Sequence, residues 1–348
     1  MTPEPAAVRP THGPAADPSG EPMVSVVVLN WNSVEHTLAC LASLRAQTYR
    51  HCEVIVVDNA SDDIAALGRL AAEGTIKLIR NQRNLGFTGG VNIGITEALR
   101  GKASYIWLLN NDALAAPTAI AELVAAAAAD PRIGLASPVI MCHDDCDRLE
   151  FHGGLFNPAN MTFQTTIDPE TYRAWRAGLP DRVWLVGTAL LLRRQLAQKI
   201  GLFDDRFFAY WEDNDFSLRS IRAGFRNVVV PSATVYHGTA RKDCAIMAGS
   251  VPVKPPYFYY YMARNQILLM RKHCGLKPRP LIWALHAQHT AWWRLRENVA
   301  VADAICAGVA DGISDVGGEY DPTRRGAVRF GRLALCGLAG ALSALGRA

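Results

Sequence analysis

Short runs of apolar, often β-branched residues alternate with helical patterns through the first third of the chain. The run Val24–Leu29 reads VSVVVL, and similar runs follow at 53–57, 76–79 and 105–109. Unbroken apolar runs of this length are typical of strands that are buried on both faces. The segments between them carry apolar residues at helical spacing. The pattern therefore predicts an α/β fold in which a mostly parallel sheet is flanked by helices.

Polar residues follow the predicted strands at the point where each strand ends. In open parallel sheets, ligands bind at the carboxyl ends of the strands, so these residues mark the expected binding edge. The candidates after the first, second and fourth strands are Asn32, Asp58, Asn110, Asn111 and Asp112.

The composition is that of an ordinary globular protein. Of the 348 residues, 50% are hydrophobic and 20% are charged, which leaves room for one large domain or two smaller ones. The net charge of +4 is too small to indicate nucleic acid, so no nucleic-acid partner is expected. No apolar run reaches the roughly 18 residues that span a bilayer.

The two ends of the chain differ from its centre. Residues 1–22 carry six prolines and no apolar run, which predicts a disordered leader and excludes a signal peptide. A cytoplasmic location is therefore expected. Residues 141–182 show little pattern and are interpreted as irregular, whereas strand character returns at 183–192. The chain becomes helical and aromatic after Tyr257, so a boundary is predicted near residue 250 with a helical region at 251–348.

A glycine-rich segment at 81–94 includes Asn84 and Gly86, and a helix is predicted from Val91. Glycines before a helix allow backbone N–H groups to approach a phosphate closely. A dinucleotide-binding fingerprint would instead follow the first strand, where residues 30–33 contain no glycine. This arrangement argues against a nicotinamide enzyme.

Two carboxylates at strand ends each have two interpretations. Asp58 is suited to accept a hydrogen bond from a nucleotide base or ribose, and equally to close a turn or cap a helix. Asp112 is suited to hold Mg²⁺ or Mn²⁺ on a diphosphate, since such an ion needs only one or two protein carboxylates. A plain turn explains Asp112 as well.

An acidic cluster follows an aromatic segment at 207–211. Glu212 and Asp213 are predicted in the first turn of a helix, and Asp215 is spaced to pair with Arg219. An apolar rim raises the pKa of a neighbouring acid, as a general base requires. This interpretation is favoured over a solvated helix start. His237 ends a later strand and is interpreted as either a structural residue or a metal ligand.

Seven segments follow one another along the chain: VSVVVLNWN (24–32), VIVVDNASD (54–62), NLGF (84–87), NND (110–112), GTA (187–189), WEDNDFSLR (211–219) and YHG (236–238). In this order they resemble glycosyltransferase family 2, and most closely its rhamnosyltransferase-like branch. The resemblance covers about residues 23–275.

The resemblance implies a GT-A fold whose catalytic domain spans 23–250, with a nucleotide-sugar half up to about residue 115 and an acceptor half after it. It implies an inverting, single-displacement transfer from a nucleotide-diphosphate sugar to a glycan or lipid-linked hydroxyl. The donor contacts it implies are Asn32, Asp58, Asn84, Gly86, Asn110, Asn111 and Asp112.

The resemblance also implies the catalytic roles. Asp213 would be the base that deprotonates the acceptor, and it would lie across the sugar from Asp112. Glu212 would lie beside Asp213. The ion, Mg²⁺ or Mn²⁺, would be held by Asp112 and His237. The remaining implied sugar and acceptor contacts are Gly187 and Trp211.

One position departs from the wider family, which has D-x-D where this chain has Asn110 first. The amide adds no charge, so the sequence alone does not decide whether activity depends on a metal ion.

The aromatic and basic segments after residue 256 have two interpretations. They suit an anionic membrane surface, and they equally suit helices that pack on the catalytic domain or on a second copy in a homo-oligomer. Because family members often act on lipid-linked or cell-envelope glycans, peripheral attachment to the inner face of the plasma membrane is favoured.

Other donors and two other functions compete with this hypothesis. The expected donor is a deoxyhexose such as rhamnose on dTDP, with a UDP- or GDP-sugar as the alternative. A nucleotidyltransferase would need a glycine-rich basic loop after the first strand, which is missing at 30–33. A non-catalytic homologue is disfavoured because Asp58, Asp112, Asp213 and His237 are all present.

Overall fold

The computed structural model describes residues 20–143, 148–238, 253–275 and 280–345, which include a large mixed sheet with helices on both faces. The strands are β1 (Val24–Asn30), β2 (Cys52–Asp58), β3 (Lys77–Arg80), β4 (Tyr105–Asn110), β5 (Ala113–Ala115), β6 (Ile133–Cys142), β7 (Leu149–Phe151), β8 (Gly153–Asn157), β9 (Thr162–Thr166), β10 (Val183–Trp184), β11 (Ala189–Arg193) and β12 (Arg226–His237). The helices are α1 (Val34–Arg45), α2 (Ala65–Ala72), α3 (Gly86–Arg100), α4 (Ala119–Ala129), α5 (Pro169–Gly178), α6 (Arg194–Ile200), α7 (Glu212–Arg222), α8 (Pro256–Cys274), α9 (Pro280–Leu295), α10 (Val299–Ile313) and α11 (Arg325–Leu345).

The main sheet runs in the order β3-β2-β1-β4-β11-β6-β12-β5, with β7 paired to β6. The first four strands are parallel, as the sequence predicts. Strand β11 lies antiparallel between β4 and β6 and joins the two halves of the sheet. A smaller antiparallel sheet consists of β10, β8 and β9. The carboxyl ends of β1, β2 and β4 therefore lie at one edge, next to the carboxyl end of β12.

The prediction that residues 141–182 are irregular is wrong. This stretch contains the end of β6, strands β7 to β9 and helix α5. Local pattern misses β8 because it begins with two glycines. A Cβ at Gly153 would lie 2.2 Å from the ring of Tyr172, and one at Gly154 would lie 2.4 Å from the ring of Trp184. Both positions therefore need glycine for packing against aromatic rings.

Helix α3 begins at Gly86, not at Val91 as predicted. Its glycines lie inside the helix rather than in a preceding loop. A Cβ at Gly90 or at Gly94 would lie 2.3 Å from a side chain of β1. Glycine disfavours helix in isolation, but here it lets α3 lie directly against the sheet. The predicted strand at 183–192 is also interrupted, since β10 ends at Trp184 and β11 begins at Ala189.

The C-terminal region is helical, as predicted, and α8 packs along α10. The predicted boundary near residue 250 and most of the predicted leader lie outside the described residues. Among the helices that the structure describes, none combines the length and apolar character needed to cross a bilayer.

A buried ion cluster joins α7 to α8. The Asp215 carboxylate is fully buried and lies 2.8 Å from Nε of Arg219, 2.9 Å from Nζ of Lys272 and 2.8 Å from Nε2 of His273. The predicted pair of Asp215 and Arg219 is thus confirmed. Burial alone would raise the pKa of Asp215, but the hydrogen bond from His273 and the nearby cations outweigh it and lower that pKa.

Asp215→Ala should destabilise the protein by about 3 kcal/mol at pH 7, because it leaves the largely buried guanidinium of Arg219 without its counter-charge. Since the folded-state pKa of Asp215 is lowered, its contribution is present above the unfolded pKa and is lost as the pH falls below it. Denaturant unfolding at pH 7 measures the loss. Glu170→Ala is the matched control, because its pair with Arg173 is 72% exposed on both sides and should cost less than about 1 kcal/mol. Equal losses in the two variants would contradict the prediction.

Candidate active site

A cavity of about 610 Å³ opens at the carboxyl ends of β1 and β4. Its lining includes most of the residues for which sequence predicts donor contacts: Asn84, Gly86, Asn110, Asn111 and Asp112. These residues come from two separate segments, and the parallel strand order brings them to one edge. The predicted binding edge therefore coincides with a cavity in the structure.

Asp58 lies beneath this edge and is fully buried. Its Oδ1 accepts hydrogen bonds from Nδ2 of Asn30 (2.8 Å) and from the hydroxyl of Ser61 (2.5 Å), and its Oδ2 accepts from the Ser61 N–H (3.1 Å). The carboxylate thus closes the turn after β2. The helix-cap interpretation is wrong, because α2 begins only at Ala65. The nucleotide-base role of Asp58 stays a prediction.

Asn32 lies on the outer side of the same turn and is exposed. Its φ is +48°, a left-handed conformation that asparagine tolerates. Its Oδ1 accepts a hydrogen bond from the N–H of Asp62 at 2.9 Å, and its N–H donates to Ser61 Oγ at 2.8 Å. These bonds connect the end of β1 to the end of β2.

Asn84 organises the start of α3. Its Oδ1 accepts from the N–H of Gly86 (2.8 Å) and from Nδ2 of Asn59 (3.1 Å). Gly86 has a φ of +73°, and a Cβ there would lie 2.5 Å from the carbonyl oxygen of Phe208. Only glycine fits at this position, and the helix start is thereby in direct contact with the segment that precedes α7.

Asp112 and His237 meet at the cavity edge, where β12 runs beside β5. Nε2 of His237 lies 3.5 Å from Oδ1 of Asp112, and Nδ1 lies 3.0 Å from Oε1 of Glu150. Burial lowers the pKa of His237, but the hydrogen bonds and charges of the two carboxylates outweigh it and raise that pKa to about 10. In the same way, His237 brings the pKa of Asp112 below its usual value despite burial.

Asp112 and His237 have the spacing of two ligands that share one divalent ion. A carboxylate oxygen and an imidazole nitrogen 3.5 Å apart can both contact one ion at about 2.1 Å. The Nδ1 contact to Glu150 orients the ring so that Nε2 faces the carboxylate, as is usual for a metal-binding histidine. Within the described part of the chain, no group of three or more His, Cys, Asp or Glu side chains is arranged to hold a metal. The protein residues thus fit a shared ion that would replace the Nε2 proton of His237 and whose other ligands would come from substrate and water.

Glu212 and Asp213 occupy the first turn of α7, as predicted. Oδ2 of Asp213 accepts the N–H of Gly187 at 3.0 Å. Burial raises the pKa of Asp213 to about 6, against the lowering effect of the N–H groups of Gly187 and Asn214. Burial and then the charge of Asp213 raise the pKa of Glu212 well above its usual range. Burial, together with the proximity of the two carboxyl groups, therefore makes both harder to ionise than free carboxyl groups.

Gly187 connects this acid pair to the cavity. A Cβ on Gly187 would lie 3.6 Å from Cβ of Asp213 and 3.8 Å from the ring of Phe87, and Phe87 lines the cavity. Gly187 thus lies between the predicted base, Asp213, and the cavity wall. The Asp213 side chain is half-buried.

The segment before α7 has an unusual backbone. Phe208, Tyr210 and Trp211 have φ values of +63°, +69° and +69°, which L residues avoid at a cost of about 1–3 kcal/mol each. The indole of Trp211 packs edge-on against Phe163, with centroids 5.6 Å apart. It does not line the cavity, so its contact with sugar stays a prediction.

Sequence reasoning missed part of the cavity wall. Four tyrosines face the cavity, three of them from the C-terminal region: Tyr210, Tyr257, Tyr261 and Tyr320. The aromatic run that begins at Tyr257 is visible in the sequence, but periodicity cannot tell whether it faces a membrane or a binding site. Glu150 was also missed, because its short strand carries no pattern.

The site geometry agrees with the results of comparison with known proteins. The profile described as Glycosyl transferase family 2 matches residues 25–201. The chain belongs to this family.

Two curated relatives carry names from the rhamnosyltransferase-like branch. An N-acetylglucosaminyl-diphospho-decaprenol L-rhamnosyltransferase of Mycobacterium tuberculosis is 28% identical over 280 residues, which cover 76% of this chain and 89% of the relative. A dTDP-rhamnosyl transferase of Shigella flexneri is 22% identical over 72% of this chain and 80% of its own length. The rhamnosyltransferase-like resemblance is thereby confirmed.

Solved structures confirm the GT-A fold. S. aureus TarS residues 1–349 in complex with UDP superposes with a TM-score of 0.54 at 13% identity, covering 89% of this chain and 87% of that chain. GalNAc-T7 with UDP, GalNAc and Mn²⁺ gives a TM-score of 0.53 at 17% identity and covers 80% of this chain, which spans 57% of the GalNAc-T7 chain.

Proposed function

We propose that this glycosyltransferase is an inverting enzyme that moves a deoxyhexose, L-rhamnose from dTDP-rhamnose, to a hydroxyl group of a glycan or lipid-linked acceptor. The observation that carries the transfer chemistry is the contrast between two acid centres, and the names of the two relatives support the choice of sugar. Asp112 is ionised beside His237, whereas Asp213 has a pKa raised to about 6. One centre is suited to hold a phosphate-bound cation and the other to accept a proton.

The donor half contributes the nucleotide and diphosphate contacts. Asn84, Gly86, Asn110 and Asn111 line the cavity and offer amide and backbone groups. Nδ2 of Asn111 already donates to the Thr37 hydroxyl at 3.0 Å, which leaves its oxygen for a donor hydroxyl. Asn32 and Asp58 are proposed to act at the adjacent carboxyl ends of β1 and β2, where the nucleoside end of the donor would lie.

Asp112 and His237 would hold a divalent ion, Mg²⁺ or Mn²⁺, by Oδ1 and Nε2. When bound, the ion neutralises the charge that develops on the leaving diphosphate. Asn110, which stands where the wider family has an aspartate, would donate to a sugar hydroxyl from the same strand end. Glu150 keeps the His237 ring oriented through Nδ1.

Asp213 is proposed to take the proton of the acceptor hydroxyl. Its Oδ2 accepts the N–H of Gly187, and Gly187 lies near Phe87 in the cavity wall. Burial and the charge of Asp213 raise the pKa of Glu212, which disfavours a second negative charge beside the base. Attack from the side of Asp213, opposite the diphosphate, would invert the anomeric configuration.

The acceptor would enter along the tyrosine-lined wall that Tyr210, Tyr257, Tyr261 and Tyr320 form. Tyrosine rings combine an apolar face with a hydroxyl group, which suits the mixed surface of a sugar ring. The name of the Mycobacterium tuberculosis relative specifies a polyprenyl-diphosphate acceptor. We propose an acceptor of that class, within cell-envelope polysaccharide synthesis.

A second donor class has specific support. A galactofuranosyltransferase of Mycobacterium tuberculosis is 27% identical over 70% of this chain and 82% of its own length. A galactofuranose donor is therefore the alternative.

A donor screen tests the proposal directly. dTDP-rhamnose with Mg²⁺ or Mn²⁺ should raise the melting temperature more than UDP- or GDP-sugars do, because a ligand bound only by the folded state stabilises it by mass action. Differential scanning fluorimetry with each sugar, with and without the metal, measures this. Asp112→Asn is the control variant and should lose the metal-dependent part of the shift. A larger shift with a UDP-sugar would replace the donor assignment.

Asp213→Asn should reduce transfer at least 10³-fold while the dissociation constant for dTDP stays within about twofold, because the amide cannot take a proton. In the wild type, kcat/KM should fall about tenfold per pH unit below the pKa of about 6 and level off above pH 7, since the base must be ionised. Initial rates of dTDP release between pH 5 and pH 8 measure both. Wild-type turnover in Asp213→Asn would refute the base assignment.

Peripheral membrane attachment is part of the proposal. The C-terminal helices expose Trp292, Leu295 and Leu333, with exposures of 43%, 85% and 72%, and the guanidinium of Arg296 lies 4.0 Å from the Trp292 ring. Exposed aromatic and aliphatic side chains beside arginine suit an anionic lipid surface.

Wild-type protein should co-sediment with vesicles of phosphatidylglycerol and phosphatidylcholine, and Trp292→Glu with Leu295→Glu should reduce the bound fraction at least fivefold. Ile167→Glu is the matched control, because Ile167 is 55% exposed but far in sequence from the C-terminal helices. This variant should bind as the wild type does. Equal binding by both variants, or none by the wild type, would exclude this surface.

A further inference from the structure

Two adjacent side chains from α8 contact the strained segment that precedes the proposed base. Arg264 and Asn265 are both fully buried, and neither lines the cavity. A buried guanidinium and a buried amide require hydrogen-bond partners. Their partners are mainly backbone carbonyl groups of residues 206–210.

The Asn265 amide bonds to three of these carbonyl groups. Its Nδ2 lies 2.9 Å from the oxygen of Phe207, 2.7 Å from that of Ala209 and 2.8 Å from that of Tyr210. Its Oδ1 accepts from Nε of Arg264 at 2.7 Å, so the nitrogen must face the segment. An amide has two N–H bonds, and here they serve three acceptors.

Arg264 extends the same network. Its Nη2 donates to the carbonyl groups of Arg206 (2.9 Å) and Phe207 (2.6 Å), and its Nη1 donates to that of Gly318. The guanidinium is a rigid planar donor, so these contacts fix the segment relative to both α8 and the chain after α10.

The contacted segment has a backbone that does not persist without such support. Phe208 has φ +63° and ψ −58°, and the N–H of Ala209 donates to the carbonyl of Phe207 at 2.7 Å, which together make a γ-turn of the rare positive-φ type. Trp211 is left-handed, and its carbonyl accepts from the N–H of Asp215 at 3.1 Å, the first turn of α7. The direction in which α7 starts therefore depends on the conformation of residues 208–211.

We propose that Asn265, supported by Arg264, is a positioning residue that orients the Asp213 carboxylate for proton transfer by fixing the backbone that leads into α7. Asn265 does not touch the reacting groups and acts only through residues 207–211. The inference rests on the proposed function of Asp213. A displacement of about 1 Å in a catalytic group can cost about 100-fold in rate.

Asn265→Leu tests this role, because it keeps the branching at Cγ and removes the amide N–H donors. The matched control is Val309→Ala, which removes buried volume from α10 in the same helical region, at a side chain that is fully buried. With dTDP-rhamnose and a synthetic N-acetylglucosaminyl-diphospho-prenol, Asn265→Leu should lower kcat about 100-fold. Calorimetric titration should give one dTDP site per chain with a dissociation constant within twofold of wild type. Val309→Ala should lose comparable melting temperature and keep kcat within about threefold.

Amide hydrogen exchange supplies a readout that needs no activity. Exchange of residues 207–213 should accelerate at least tenfold in Asn265→Leu but not in Val309→Ala. Unchanged exchange, a wild-type kcat in Asn265→Leu, or an equal loss of kcat in Val309→Ala would each overturn the positioning role. A wild type that transfers no sugar, combined with the expected exchange pattern, would refute the proposed function and leave the role of Asn265 in the backbone intact.

Discussion

The segment 207–211, in which Phe208, Tyr210 and Trp211 have positive φ values, is the constraint on which the rest of the site depends. The carbonyl of Phe208 accepts from the N–H of Thr88 at 3.1 Å and lies against Gly86, at the start of α3. The carbonyl groups of its neighbours accept hydrogen bonds from Asn265, and Trp211, the last residue of the segment, immediately precedes α7. Because each left-handed residue is unfavourable by itself, the segment adopts this path only where the donor half, the acceptor half and the C-terminal helices meet. The three regions are thus held together at the residues next to the proposed base.

Burial has opposite effects at the two acid centres. Asp112 is partly buried but has His237 as a partner, so its pKa lies below the usual value. Asp213 has only backbone N–H groups and lies beside Glu212, so burial dominates and its pKa rises to about 6. A shared positive partner stabilises a carboxylate, whereas an apolar environment with a second acid destabilises it. The fold thereby produces one centre suited to a cation and one suited to a proton.

Local pattern predicted the elements whose apolar residues are regular. Strands β1, β2 and β4 are nearly continuous apolar runs, and the pairing of Asp215 with Arg219 follows from helical spacing. Strand β6 lies near the centre of the sheet but escaped prediction, because Pro138 interrupts a run that otherwise has strand character. Its partner β12 shifts register between Val230 and Thr234, and such an irregularity accommodates a proline. The start of α3 was predicted wrongly for a similar reason. Its glycines serve contact with the sheet and not local conformation.

The sequence alone determined the fold class and the polar residues at the strand ends, because both follow from short-range periodicity and from the chemistry of side chains. Tertiary structure decided which of these residues meet. Asp112 and His237 are 125 positions apart, and they come together only because β12 runs beside β5. Similarly, the tyrosines of α8 line the cavity only because α8 packs on residues 206–210. The same packing makes Asn265 a support for the proposed base. Contacts over such distances depend on the whole chain, since no local pattern records which distant surface a helix will cover.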